Sequence, residues 1–127
     1  MASARISVLP LGAQVTLFSV EATEFPEWVT GDEAAIANSS ALVVATRSDV
    51  DGEVKMQVSL GNVEDGPGIP VFEGDLTLQS GEVEFGSVLS GELHRMRIGG
   101  RGVYHAVVAV DTPNSVSEVF VSLAPKE

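Results

Sequence analysis

From Glu53 to Leu60 apolar and polar residues alternate one for one. Val54, Met56, Val58 and Leu60 fall on one side, and Lys55, Gln57 and Ser59 on the other. Successive side chains of a β-strand point to opposite faces, so this stretch predicts a strand with one face buried. The same pattern recurs along the chain. Arg5 to Leu9 alternates more weakly. Gln14 to Glu21 sets Val15, Leu17 and Val20 among polar residues, and Phe18 breaks the strict period. Ala41 to Thr46 is a short apolar run rich in β-branched residues, the pattern of a strand covered on both faces. Leu76 and Leu78 share one face of Asp75 to Gln79, and Val83 and Phe85 one face of Glu82 to Phe85. Glu92 to Ile98 puts Leu93 with Arg95 and Arg97, and His94 with Met96 and Ile98. Val103 to Val110 is the most apolar stretch and predicts a central strand. Val116 to Leu123 aligns Val119, Val121 and Leu123.

The punctuation agrees with strands. Asp51-Gly52 and Ser80-Gly81 each read as a tight hairpin turn, since Asp-Gly and Ser-Gly tolerate the positive φ such turns need. Gly99-Gly100-Arg101-Gly102 joins two further strands, and Asp65-Gly66-Pro67-Gly68 with Pro70 makes a longer loop. About nine strands at spacings near ten residues predict an all-β protein, an antiparallel two-sheet β-sandwich with jelly-roll or Greek-key connections. A closed barrel is the alternative. No linker or internal repeat divides the chain, so residues 1–127 read as one domain.

One segment departs from the strand pattern. Thr30 and Glu33 have the spacing of a capping box, and Asp32 and Glu33 suit a helix N-terminus. Alanines follow, and Asn38 is a stop signal. This predicts one short helix near residues 31–38.

Composition narrows the chemistry. The 127 residues are 44% hydrophobic, enough for a core, and contain no cysteine, which excludes disulfides, thiolate metal sites and a cysteine nucleophile. No apolar run approaches the ~20 residues of a membrane-spanning helix, and Met1 to Arg5 does not open a secretory signal, so the expected location is the cytoplasm. The net charge is −11. It is concentrated in residues 1–92, with 15 acids against 3 bases, while residues 93–127 hold 3 acids and 4 bases. Phosphate contacts require Lys and Arg, so direct binding to nucleic acid or anionic membrane is not expected. The acidity serves solubility, or it docks on a basic protein such as a nuclease, whose cleft is built to hold phosphates.

No catalytic constellation stands out. The two histidines, His94 and His105, lie on strands flanking the Gly99–Gly102 turn without being opposite, and few acids are near them in sequence; no metal site and no cofactor is expected. No Gly-x-Ser-x-Gly elbow is present, since Leu89 stands where the second glycine would follow Gly86-Ser87. Asp49-Val50-Asp51-Gly52-Glu53 lacks calcium-loop spacing and reads as a turn. Glu73/Asp75 and Glu82/Glu84 are same-face acidic pairs, better explained as solvated sheet than as glycosidase carboxylates, because aromatics are only 6%. Arg95, Arg97 and Arg101 form the one basic cluster, either an anion contact or intramolecular partners for the acidic excess. Glu24-Phe25-Pro26-Glu27-Trp28 holds the only tryptophan. Phe25 and Trp28 are either binding anchors or a plug closing one end of the sandwich.

This last region also carries a resemblance. Phe18 and Val20, then Pro26-x-Trp28, then Asp32-Glu33-Ala34 and Ile36, resemble the start of the small bacterial competence proteins that inhibit the DNA-entry nuclease. The order continues through the 41–47 and 53–60 strands, the Pro67 loop, the 74–79 and 82–86 strands and Gly91-Glu92. The resemblance implies a cytoplasmic, non-enzymatic inhibitor that binds a nuclease. The resemblance supplies no binding residues; the acids around the lone tryptophan give the expected partner contacts as Glu24, Phe25, Glu27, Trp28, Asp32 and Glu33, with the acids occupying the cleft where phosphates belong. A structural, self-assembling domain and a small-ligand binder or enzyme are the alternatives.

Overall fold

The computed structural model describes residues 3–31, 33–61 and 68–126. Among them ten strands form two five-stranded sheets. Sheet A has the order β1 (Ser3–Val8), β5 (Val54–Leu60), β10 (Glu118–Pro125), β9 (Gly102–Val110), β6 (Ile69–Leu78). Sheet B has the order β3 (Ala35–Ala37), β4 (Ala41–Ala45), β2 (Gln14–Ser19), β7 (Glu82–Ser87), β8 (Glu92–Arg97). All neighbouring pairs are antiparallel except β5 and β10, which run parallel. The all-β two-sheet sandwich expected from the alternation is therefore the observed architecture, with ten strands in place of nine.

The inner faces follow the period-2 pattern. Val54, Met56 and Val58 of β5 meet Val119, Val121 and Leu123 of β10, all at most 1% exposed. Leu17, Leu42, Val83 and Phe85 cover them from sheet B, and all four are fully buried. Each such side chain contributes about 1.5–3 kcal/mol relative to an exposed one. The expected central strand, β9, lies between β10 and β6, and β4 is buried on both faces as its unbroken apolar run predicted.

Two expectations fail for physical reasons. Among the described residues of 31–38 there is no helix; Ala35–Ala37 instead pairs with β4 as a short edge strand. Three residues of ladder plus apolar contact with the core (Ala35 and Ala37) outweigh a modest helix preference. Asp51-Gly52 and Ser80-Gly81 are not hairpin turns, and Gly99–Gly102 is not one either. Each carries the chain from one sheet to the other. A 3-10 turn, Asp49–Asp51, precedes Gly52. The other two crossings pack together: the Gly81 carbonyl accepts from Ile98 and Gly99 N–H, and a Cβ on Gly81 would collide with the Gly99 carbonyl. His94 and His105 consequently sit in different sheets.

Both open sides of the sandwich are tied across. Thr77 N–H donates to Ser39 O at 2.7 Å, joining β6 to the β3–β4 turn. Leu9 N–H donates to Glu92 Oε1 at 3.0 Å, joining the end of β1 to β8. β3 is a three-residue edge, whereas β6, the ten-residue edge of sheet A, is held to the other sheet at Thr77.

Candidate functional site

The connection between β2 and β3, residues 20–34, does not cap an end of the sandwich. It runs over the outer face of sheet B. Phe18, Thr16 and Gln14 of β2 point outward beneath it, and outward Phe18 is only 8% exposed. The Phe25 ring meets Phe18 edge-on, with centroids 5.2 Å apart at 81°, a favoured aromatic geometry. Trp28 Nε1 donates to Gln14 Oε1 at 2.9 Å, and Asn38 Nδ2 donates to Glu24 O at 3.1 Å. Phe18 broke the alternation in the sequence because its strand is covered on both sides.

Glu33 holds the far end of the connection. Its carboxylate accepts from Val29 N–H and Gly31 N–H, both at 2.8 Å, and from Thr30 through N–H and Oγ1. The Val29 N–H, first among these donors, holds the Glu33 carboxyl down at about 2, because N–H donors favour the charged form. The capping-box residues are thus used in a loop, with the carboxylate satisfying backbone donors and no helix following.

These anchors leave a groove of about 330 Å3 lined by Phe25, Pro26, Trp28, Val43, Val88 and Leu89, with Gln14, Thr16 and Glu27 also on its wall. Phe25 is 42% exposed, Val88 40% and Leu89 63%. Val88 and Leu89, from the β7–β8 turn, are site residues that the sequence reading does not supply. The available signal was two bulky apolar residues in a turn, where polar residues are the rule.

The expected site residues divide. Phe25 and Trp28 come together in the groove with exposed Glu27 on its wall, and Glu24, also exposed, precedes Phe25 without lining it. Neither acid forms an ion pair among the described residues. Glu33 is turned inward to the loop backbone, and Asp32 lies outside the described residues. Arg95 and Arg97 share the outer face of sheet B with the groove. Arg95 sits 3.6 Å from Glu84 on the neighbouring strand, and Arg97 Nη1 donates to Gly99 O at 3.3 Å. Arg101 lies apart, in the β8–β9 crossing beside Thr77, Leu78 and Gln79. The three arginines are not one site.

The outer face of sheet A carries a different cluster. His105 Nε2 lies 2.6 Å from Glu73 Oε2, and His105 Nδ1 3.5 Å from Asp75 Oδ1. Lys126 Nζ donates to the second Asp75 oxygen at 2.7 Å, and this bond, chiefly, lowers the Asp75 pKa. The shared face of Glu73 and Asp75 was legible in their spacing; the histidine across the β6–β9 ladder was not. Among the described residues no group of three or more His, Asp and Glu is placed to hold a metal ion. A polar cavity of about 200 Å3 is lined by Ser19, Glu21, Ser39, Ser40 and Thr77 among others. Ser19 Oγ donates to Glu21 Oε1 at 2.8 Å.

The fold is similar to two solved structures. The crystal structure of ComJ, inhibitor of the DNA degrading activity of NucA, from Bacillus subtilis, matches with a TM-score of 0.77 at 11% identity, over 97% of this chain and 96% of that one. Crocagin biosynthetic gene J matches with a TM-score of 0.66 at 10% identity, over the whole of both chains. No protein-family model and no curated protein sequence matches the chain. The resemblance drawn from the Phe18–Ile36 segment thus extends to the whole fold, and at these identities it is a likeness of fold.

Proposed function

We propose that this chain is a non-enzymatic, cytoplasmic protein-binding module that inhibits a nuclease. Its outer sheet-B face enters the basic cleft of the enzyme, and Glu24 and Glu27 stand where substrate phosphates belong. The observation that carries this reading is two exposed carboxylates, with no ion pair among the described residues, on the loop that walls an open apolar groove built around the only tryptophan. Interfaces take their energy from a few buried aromatic anchors and their encounter rate from complementary charge. The likeness of fold to ComJ supports an inhibitor in particular.

The test is capture from native extract on immobilised protein, with the retained proteins identified by mass and assayed for DNA degradation. A DNA-degrading enzyme should be held at low salt, be inhibited while bound, and be released steeply at moderate salt as screening rises. Retention of no nuclease, or of one whose activity is unchanged by binding, would refute the proposal.

A further inference from the structure

The groove, its pinned walls and its bare acidic rim together specify what docks there. We infer that it receives a single apolar side chain carried on a lysine- or arginine-rich segment of the partner, with a flanking cation paired to Glu27. This rests on the protein-binding reading above.

Three observations fix that chemistry. The first is size and lining: about 330 Å3 is at the lower end of ligand pockets (about 300–1,000 Å3), room for a side chain rather than a large cofactor. Scattered exposed apolar residues are ordinary, but Phe25, Val88 and Leu89 are contiguous around the indole. The second is preorganisation. Gln14 fixes the indole, Phe18 fixes Phe25, and Glu33 fixes the backbone that follows Trp28. Docking therefore orders little that is not already ordered. The third is charge. Among the described residues no Lys or Arg pairs with Glu24 or Glu27: Arg95 lies beside Glu84, Lys126 bonds Asp75, and Arg47 donates to the Glu53 carbonyl. Glu24 and Glu27 are left for a partner's cations. The same rim repels anionic lipid headgroups, and a second copy, at net −11, brings few cations of its own.

Trp28, as the only tryptophan, reports on the groove directly. The probe is a capped heptapeptide with one leucine between two pairs of lysines, titrated into the whole chain while its emission is followed. The leucine–lysine peptide should give a saturable change. Replacing its leucine by serine should weaken binding about tenfold, and replacing its lysines by glutamates should abolish it. In the protein, Leu89→Ser should weaken binding about tenfold, Glu27→Gln about threefold, and Glu73→Gln on the opposite face not at all. No saturable response, or an equal response to the serine or glutamate peptide, overturns the inference. So does an intact response in Leu89→Ser, or an emission change with protein concentration alone, which would make the occupant a second copy. Failure of the nuclease reading looks different: peptide docking persists while no nuclease is inhibited. Nuclease inhibition that survives Leu89→Ser unchanged would remove the groove and leave that reading standing.

Discussion

The two outer faces of the sandwich are built from the same kind of strand and end as different surfaces. On sheet A the outward residues include Arg5 and Lys55, and Lys126 joins them, against Glu73, Asp75 and Glu118: the charges balance. Outward Val103 is 40% exposed there. On sheet B the strands offer Glu82 and Glu84 against Arg95 and Arg97, again balanced. The 20–34 connection then adds five acids in sequence, Glu21, Glu24, Glu27, Asp32 and Glu33, with no base. It also buries the outward Phe18 and Val43, at 8% and 4% exposure. One loop laid over a sheet thus converts a solvated face into a second, smaller apolar layer with an acidic rim.

The comparison breaks most visibly in stability. Phe18→Ala should cost about 3 kcal/mol, the low end for a buried phenylalanine, while Phe120→Ala on the outer face of sheet A should cost about 1 kcal/mol. Urea denaturation midpoints measure both. Equal losses would mean the connection does not cover sheet B. Partner binding comes next. Trp28→Ala should weaken it by about 2 kcal/mol, roughly thirtyfold, while His105→Ala should leave it within about twofold. A titration of the captured nuclease decides between them.

Acid separates the faces differently. Asp111 of sheet A caps the β9–β10 turn, accepting from Ser117 N–H, Glu118 N–H and Ser117 Oγ. Burial acts to raise its pKa, but these donors prevail and hold it at about 2, below the usual 3.8. A depressed carboxylate stabilises the fold above its unfolded value and loses that contribution as pH falls through its folded one. Asp111→Asn should therefore cost about 1 kcal/mol at neutral pH, discounted for partial exposure, and progressively less as pH falls from the usual 3.8 through about 2. Glu33 obeys the same sign between 4.5 and about 2. Its protonation should loosen the sheet-B loop and shift Trp28 emission in that window, and Glu33→Gln should shift it at neutral pH. An emission spectrum flat across that range would contradict the role given to Glu33. The smallest effect is the exposed Glu84–Arg95 pair: Arg95→Ala should change stability by under about 1 kcal/mol.

Much of this fold was legible because the inner faces obey a period of two, as in Val54, Met56 and Val58. The crossings were not. Asp51-Gly52, Ser80-Gly81 and Gly99–Gly102 announce a reversal of the chain, but turn chemistry does not say which sheet receives the next strand. Residues 31–38 misled because Thr30 and Glu33 satisfy loop donors with the same bonds that would start a helix. At the site, Phe25 and Trp28 stood out as isolated aromatics. Their partners Val88 and Leu89 belong to a distant turn that only the β2–β7 pairing brings near.

The most direct measurement compares two double variants in nuclease capture across a salt series: Glu24→Gln with Glu27→Gln on the sheet-B side, and Glu73→Gln with Asp75→Asn on sheet A. The account predicts that the first pair weakens capture about tenfold at low salt and flattens its salt dependence, while the second leaves both unchanged. Capture that depends on Glu73 and Asp75 and ignores Glu24 and Glu27 would contradict it.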